Sequence, residues 1–260
     1  MDVHLLSLSK NIYKMKVIVS TSDKYEDVLK VYCFLFNKFW STDQEVEVVG
    51  YKKPSFTLPP NFTFYSMGED RGTKFWSDDL KKYFEQLNEK FFIYTMEDNF
   101  LTSQTDLEAI SKIETVLHNK VGRVDLTDVF TTMSEGVIQP HSLYEEVDGL
   151  KIYVRGQNAK WRASFPLSIW NKEYLLRVLE KPHMTPWDVE NYGNVISRGD
   201  GYDILGTHHT EKVISPRNEG VSTFNDSSGL FRYRLHGIDP TVIKEMEDKG
   251  ILSKHIKKLV

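Results

Sequence analysis

The sequence predicts an α/β fold: an open, mostly parallel central sheet flanked by helices, in a single domain. Short β-branched or aromatic runs alternate with amphipathic stretches in strand–helix–strand order, which is how such sheets are built. The 260 residues are 40% hydrophobic and 13% aromatic, ample for a core. No repeat, low-complexity tract or linker divides the chain.

The elements follow in order. MKVIVSTS (15–22) is a β-branched strand ending in small hydroxyl residues. DKYEDVLKVYCFLFNKFW sets Val28, Val31, Tyr32, Leu35, Phe36 and Phe39 at helical spacing, with Asp23 as the N-cap. EVEVVGY (45–51) and NFTFYSMG (61–68) are the next strands, joined by proline-rich KKPSFTLPP. WSDDLKKYFEQLNEK is a helix opened by Ser77, and FFIYTM (91–96) is a strand. DLEAISKIETVLH (106–118) is a helix crossing back over the sheet, and GRVDLTDV (122–129) a strand leading away. Residues 131–151 are turn-rich and weakly patterned. KIYVRG and WRASFPLSIW read as strands, and NKEYLLRVLEK as a helix with Leu175, Leu176 and Leu179 on one face. After PHMTPWDVE the chain reads as loop through NDSSG (225–229). FRYRLHG is a last strand, and DPTVIKEMEDKG a helix capped by Asp239 and stopped by Gly250.

The formal charge of −4 gives no global signal for nucleic acid or membrane. The single cysteine, Cys33, excludes an intrachain disulfide and a cysteine zinc site, and fits a reducing cytoplasm. Its neighbours VYCFLF mark a core thiol. No apolar run has the length of a secretion signal or a membrane span. The expectation is a soluble, cytoplasmic protein with no membrane partner.

Parallel sheets bind ligands at the carboxyl ends of their strands. Three features should meet there. Ser20, Thr21 and Ser22 form a hydroxyl-rich turn before a helix, suited to hydrogen-bonding a nucleotide, and Tyr25 can stack on its base. Asp70, in GEDRGTKFW, can accept from a ribose or base. Glu97 and Asp98 leave the most apolar strand, FFIYTMEDNFL. Either they form a solvated turn, or they hold a cation, since a bare buried carboxylate costs several kcal/mol. Mg²⁺ and Mn²⁺ prefer oxygen ligands and can bridge to a diphosphate. Further along, Arg198 can clamp a diphosphate, and His208 or His209 can supply a metal or phosphate contact.

STSDKY (20–25), WSDDL (76–80), MEDNF (96–100), SIWNKEYLL (168–176) and WDVE (187–190) occur in the order of a known family. In these motifs, from about residue 15 to 252, the chain resembles small GT-A-type, glycosyltransferase 2-like enzymes of viral and bacterial type. The resemblance implies a GT-A-like, Rossmann-type domain over 1–260, with a donor-binding half at about 15–125 and an acceptor half at about 126–260. It implies a nucleoside-diphosphate sugar as donor and a divalent cation, Mn²⁺ or Mg²⁺, on Asp98 with Glu97 beside it. Glu190 is then the general base of an inverting transfer, with Asp188 as the alternative. Such a base takes the acceptor hydroxyl's proton as that oxygen attacks the anomeric carbon.

The acceptor is a glycan or a hydroxymethylated pyrimidine in DNA. For DNA speak Lys151, Arg155, Lys160 and Arg162 in one segment, and KHIKK near the end. Trp187 offers a platform for a sugar or base, and Trp161 a second aromatic for a flipped base. Two other classes remain. A nucleotidyltransferase should carry a glycine-rich phosphate loop, and STSDKY has no glycine. A non-catalytic carbohydrate- or nucleic-acid-binding module would not require an acid pair together with a separate Trp-x-x-Glu.

Overall fold

The computed structural model describes residues 15–127, 140–207, 224–225, 231–235, 238–253 and 256–257. At its centre lies β1 (Val17–Ser20), buried throughout. The alternation of strand side chains sends Val17 and Val19 to one face of the sheet and Ile18 to the other. β1 pairs in parallel with β2 (Val46–Gly50) and β4 (Phe91–Met96), and β3 (Phe62–Ser66) continues beyond β2. α1 (Glu26–Phe39) buries Val28, Leu29, Val31, Tyr32, Leu35 and Phe36 on the first face. α2 (Trp76–Gln86) buries Trp76, Leu80, Tyr83 and Phe84 on the second.

α3 (Leu107–Glu114) joins α1 on the first face, its start held by Asp106 accepting from the Ala109 amide at 2.9 Å. It is followed by β5 (Val121–Asp125), β6 (His141–Val147), β7 (Leu150–Arg155) and β8 (Ser168–Asn171). α4 (Lys172–Val178) and α5 (Pro186–Ile196) cover the second face before β9 (Asp203–Thr207). The nine strands run in the order β3-β2-β1-β4-β8-β5-β9-β7-β6, with β7 and β8 opposed to the other seven. A small sheet of β10 (Phe224–Asn225), β11 (Phe231–Arg234) and β12 (Ile256–Lys257) flanks α6 (Pro240–Asp248) in the chain. Asp239 caps α6, accepting from the Thr241 amide at 2.8 Å.

The mixed α/β class and mostly parallel sheet agree with the sequence. Several local readings do not. The weakly patterned middle contains β6, which forms an antiparallel hairpin with β7. Its turn is Asp148-Gly149, both at positive φ (46° and 84°), as a two-residue hairpin turn demands. Only residues 168–170 of WRASFPLSIW are strand, continuing into Asn171. The stretch after PWDVE, expected to be loop, continues α5 to Ile196; Thr185 and Asp188 form a reciprocal capping box around Pro186 that starts the helix. DILGT is β9, inserted between β5 and β7. Asp23 is not the cap of α1. It sits in a short 3₁₀ turn and accepts from the Lys52 amide at 3.0 Å. Ser77 lies inside α2, where its hydroxyl accepts from the Met184 amide at 2.9 Å.

Candidate functional site

β1, β2, β3 and β4 end on one edge of the sheet, and a cavity of about 310 Å³ opens there. Ser20, Thr21, Ser22, Tyr25, Asp70, Glu97 and Trp187 line it, so most of the residues singled out from sequence converge. Two other hollows, of about 380 and 930 Å³, lie beside α1 and α6 and at the opposite ends of the strands. Size does not select the site; its chemistry does.

The hydroxyl turn divides its labour. Ser20 is buried, its Oγ 2.8 Å from the Tyr94 hydroxyl, so it holds the sheet. Thr21 donates its amide to the Val49 carbonyl at 2.9 Å and its hydroxyl to the Ser22 carbonyl at 3.4 Å. Ser22 Oγ is buried and has no hydrogen-bond partner among the described residues, an exception to the usual pairing of buried polar groups. Asp70 accepts from the Gly72 amide with Oδ1 at 2.8 Å, a turn that keeps the carboxylate at the rim. The 3₁₀ turn at Asp23–Tyr25, the first residue of α2 and the first turn of α5 all border the cavity. Helix starts present amide donors and positive dipole ends, which favours an anion between them.

The acid pair is the least comfortable part of the site. Glu97 is buried, and desolvation followed by the charge of Asp98 pushes its carboxyl well above the usual range. Desolvation raises Asp98 to about 6, opposed only by a backbone hydrogen bond. Among the described residues neither makes a salt bridge; Lys24 acts on Glu97 only through its field. Burial, then Glu97, then Asp98, also raises the Tyr25 hydroxyl, which places that ring beside the pair. Two adjacent oxygen donors without a paired cation fit a hard divalent ion. No third acid, histidine or cysteine joins them among the described residues, so the remaining positions fall to water and ligand oxygens.

Glu190 stands one turn beyond Pro186 on α5, on the stripe that meets the cavity. Its Oε1 accepts from the Phe165 amide at 2.8 Å. Desolvation raises its carboxyl; the Phe165 bond and Arg123 oppose the shift, while the Asp98 charge adds to it. That electrostatic link joins Glu190 to the acid pair. Asp188, the alternative base, closes the capping box: its Oδ2 accepts from the Thr185 amide at 3.0 Å and hydroxyl at 2.7 Å.

The remaining residues fall elsewhere. Arg198 is exposed beyond the C-terminal end of α5, about 16 Å of helix from the cavity. Trp161 is not in the cavity wall; it follows β7 and hydrogen-bonds α5 through Asn194. His208 and His209 lie outside the described residues, as does most of KHIKK. The basic segment proposed for DNA is corrected: Arg155 and Arg162 are buried, so only Lys151 and Lys160 of the four are exposed. Arg162 instead binds Asp200 at 3.2 Å and the Tyr202 carbonyl at 2.6 Å.

Sequence reasoning missed Arg123 and Asp125, a buried pair at 2.6 Å on β5. The i, i+2 spacing inside GRVDL puts both on one strand face and was the available signal. Tyr51, Thr73 and Trp76 also line the cavity, as residues next to strand ends and helix starts do.

No family model and no curated protein matches the chain. Among solved structures it is similar to the glycosyltransferase GlyE of Streptococcus pneumoniae TIGR4, at 11% identity and a TM-score of 0.44 over 74% of this chain and 45% of that one. It is also similar to the mannosyltransferase PcManGT of Pyrobaculum calidifontis in complex with GDP-Man and Mn²⁺. That likeness has 15% identity and a TM-score of 0.48, over 75% of this chain and 55% of the other. The chain spans about half the length of these two structures.

Proposed function

We propose that the chain is a nucleotide-sugar-dependent glycosyltransferase. The observation that carries the reading is the convergence, at one sheet edge, of three helix starts, the unpartnered Ser22 hydroxyl, and the buried Glu97 and half-buried Asp98 carboxylates, neither in a salt bridge among the described residues. An anion-favouring surface beside two oxygen donors suits a diphosphate bridged to a divalent cation.

In this reading Ser22 and Asp70 hydrogen-bond the nucleoside, and Tyr25 lies against the base. Asp98 and Glu97 hold the cation, which when bound neutralises the charge of the diphosphate. Glu190 takes the proton of the acceptor hydroxyl. That oxygen forms its bond to the anomeric carbon while the carbon–oxygen bond to the diphosphate breaks, the diphosphate leaving with the electron pair. Attack from the face opposite the leaving group inverts the anomeric configuration. The raised pKa of Glu190 makes it a stronger base once ionised, and the Phe165 amide holds its other role, orientation.

Thermal-shift titration with UDP, GDP, CDP, ADP and dTDP, each with and without Mn²⁺, tests the donor site. At least one nucleotide should stabilise the fold, and more strongly with the cation. Stabilisation by none of them would sink the reading.

A further inference from the structure

Trp161 has a backbone φ of 59°, in the left-handed region that bulky non-glycine residues rarely adopt. Its surroundings impose that conformation. Its carbonyl oxygen accepts from Arg155 Nη1 at 2.8 Å, Arg123 Nη1 at 3.3 Å and Ser164 Oγ at 3.4 Å. Its amide donates to Asn194 Oδ1 at 2.9 Å. Both guanidinium groups are buried, and Arg123 is itself fixed by Asp125 and by Ser168 Oγ at 3.0 Å. Burying arginine is expensive unless its hydrogen bonds are well placed. Yet the indole that these groups set in place is 36% exposed, so core packing does not account for them. Strain held by a rigid frame around an exposed side chain marks a functional position.

The place of Trp161 gives that function a direction. Trp187, Glu190 and Asn194 fall at i, i+3 and i+7 on α5, one stripe about 10 Å long. Trp187 is 68% exposed at one end, and the Trp161 backbone is bonded to Asn194 at the other. Between them is Glu190, bonded to Phe165 of the same segment as Trp161. We propose that Trp161 is a specificity-determining residue for the acceptor, its indole presented by the Arg123–Arg155 clamp to stack on the face of a saccharide ring. The inference rests on the transferase reading and names the acceptor class.

An exposed indole offers a flat apolar face with a polar edge, matched by the C–H face and hydroxyl rim of a sugar ring. Nucleobases stack as well, but nucleic acid also needs a basic track for its phosphates. Around the cavity and the start of α5 the signs are mixed, with Lys24, Lys74 and Lys181 against Asp23, Asp70 and Asp188; beside Trp161 itself Lys160 is exposed, while Arg155 and Arg162 are turned into the interior. Charge therefore favours an uncharged saccharide.

Calorimetric titration of the full chain with neutral gluco-, manno- and galacto-oligosaccharides, and with single-stranded and duplex DNA, tests this. Wild type, Trp161→Gly and Trp161→Phe are compared. Glycine accepts this φ without strain, so the first variant removes the indole while keeping the loop. At least one saccharide should bind wild type, Trp161→Gly should weaken it about tenfold or more, and Trp161→Phe should recover most of the loss. The glycine variant should melt at or above the wild-type temperature, with Mn²⁺-dependent nucleoside diphosphate binding unchanged. Equal saccharide binding by wild type and Trp161→Gly, binding of DNA alone, or no saccharide binding at all would overturn the proposal. Absence of nucleotide binding with Trp161-dependent saccharide binding intact counts against the transferase reading and leaves the Trp161 assignment standing.

Discussion

Burial raises the Glu190 carboxyl above its ordinary range, and the Asp98 charge pushes the same way. The folded protein therefore holds a proton there at a pH where the unfolded chain has released it. Stability falls as pH climbs from the unfolded value through the folded one, and the group costs nothing below the ordinary carboxylate range. Glu190→Gln keeps an acceptor for the Phe165 amide and removes the charge. It should raise Tm at pH 7, by about 2–4 °C for each kcal/mol recovered, and the gain should vanish near pH 4. The same variant should retain nucleoside diphosphate binding and lose transfer by about 10²-fold or more, as removal of a general base does. Transfer at the wild-type rate would refute the assignment. Wild-type transfer should decline on the acid side at a pH above the ordinary glutamate value, since only the ionised form accepts a proton. At Asp98, replacement by Asn should abolish the Mn²⁺-dependent part of nucleotide stabilisation in the thermal-shift assay, because an amide is a poor ligand for a hard cation.

At the scale of the element, α5 decides where Trp187 and Glu190 stand. Its start depends on the Thr185–Asp188 capping box, and Thr185→Ala should cost about 1 kcal/mol in urea unfolding. Because the first turn of α5 borders the cavity, the same change should weaken nucleotide binding, which calorimetry would read. Its packing depends on Gly193, where an added Cβ would come within 2.7 Å of Ala163 Cβ and 3.0 Å of Val178. Gly193→Ala should therefore force α5 away from residues 161–165 and cost about 1–3 kcal/mol, detectable as a lower urea midpoint. The regular elements were readable where periodicity was strong: α1, α2, α3 and α6 show it, as do β1 and β4. α5 was not, because PWDVENYGNVI carries only Val189 and Gly193 as buried residues and has no apolar stripe to see. The local signals there are the Thr185-Pro186-x-Asp188 start and, for the β6–β7 hairpin, the Asp148-Gly149 turn.

For the molecule as a whole, stability and chemistry occupy different parts of the sheet. α6 packs on the first face through Val242, Ile243 and Met246 and contributes no residue to the cavity wall, and Lys38 and Lys30 of α1 bond Glu245 and the Gly250 carbonyl. Met246→Ala should cost about 2–5 kcal/mol in chemical denaturation while leaving nucleotide affinity of the folded fraction unchanged. A change in affinity would show that the two faces are coupled. Among the described residues no helix is long and apolar enough to cross a membrane.

The sequence by itself determined the α/β class and which residues stand at the carboxyl edge of the first strands. Strand periodicity and the positions of strand ends are local properties, so Ser22, Asp70 and Glu97 could be placed together without coordinates. Only the tertiary structure decided how each is used. It gave Ser20 to Tyr94, Asp188 to a cap and Arg162 to Asp200, and it left the Ser22 hydroxyl without a hydrogen-bond partner and the acid pair without a salt bridge among the described residues. Hydrogen-bond partners and desolvation come from residues distant in the chain, and no window of sequence contains them. The clamp on Trp161 is the clearest case: it joins β5, β7 and α5 across 71 positions, from Arg123 to Asn194, and exists only when the sheet has closed around it.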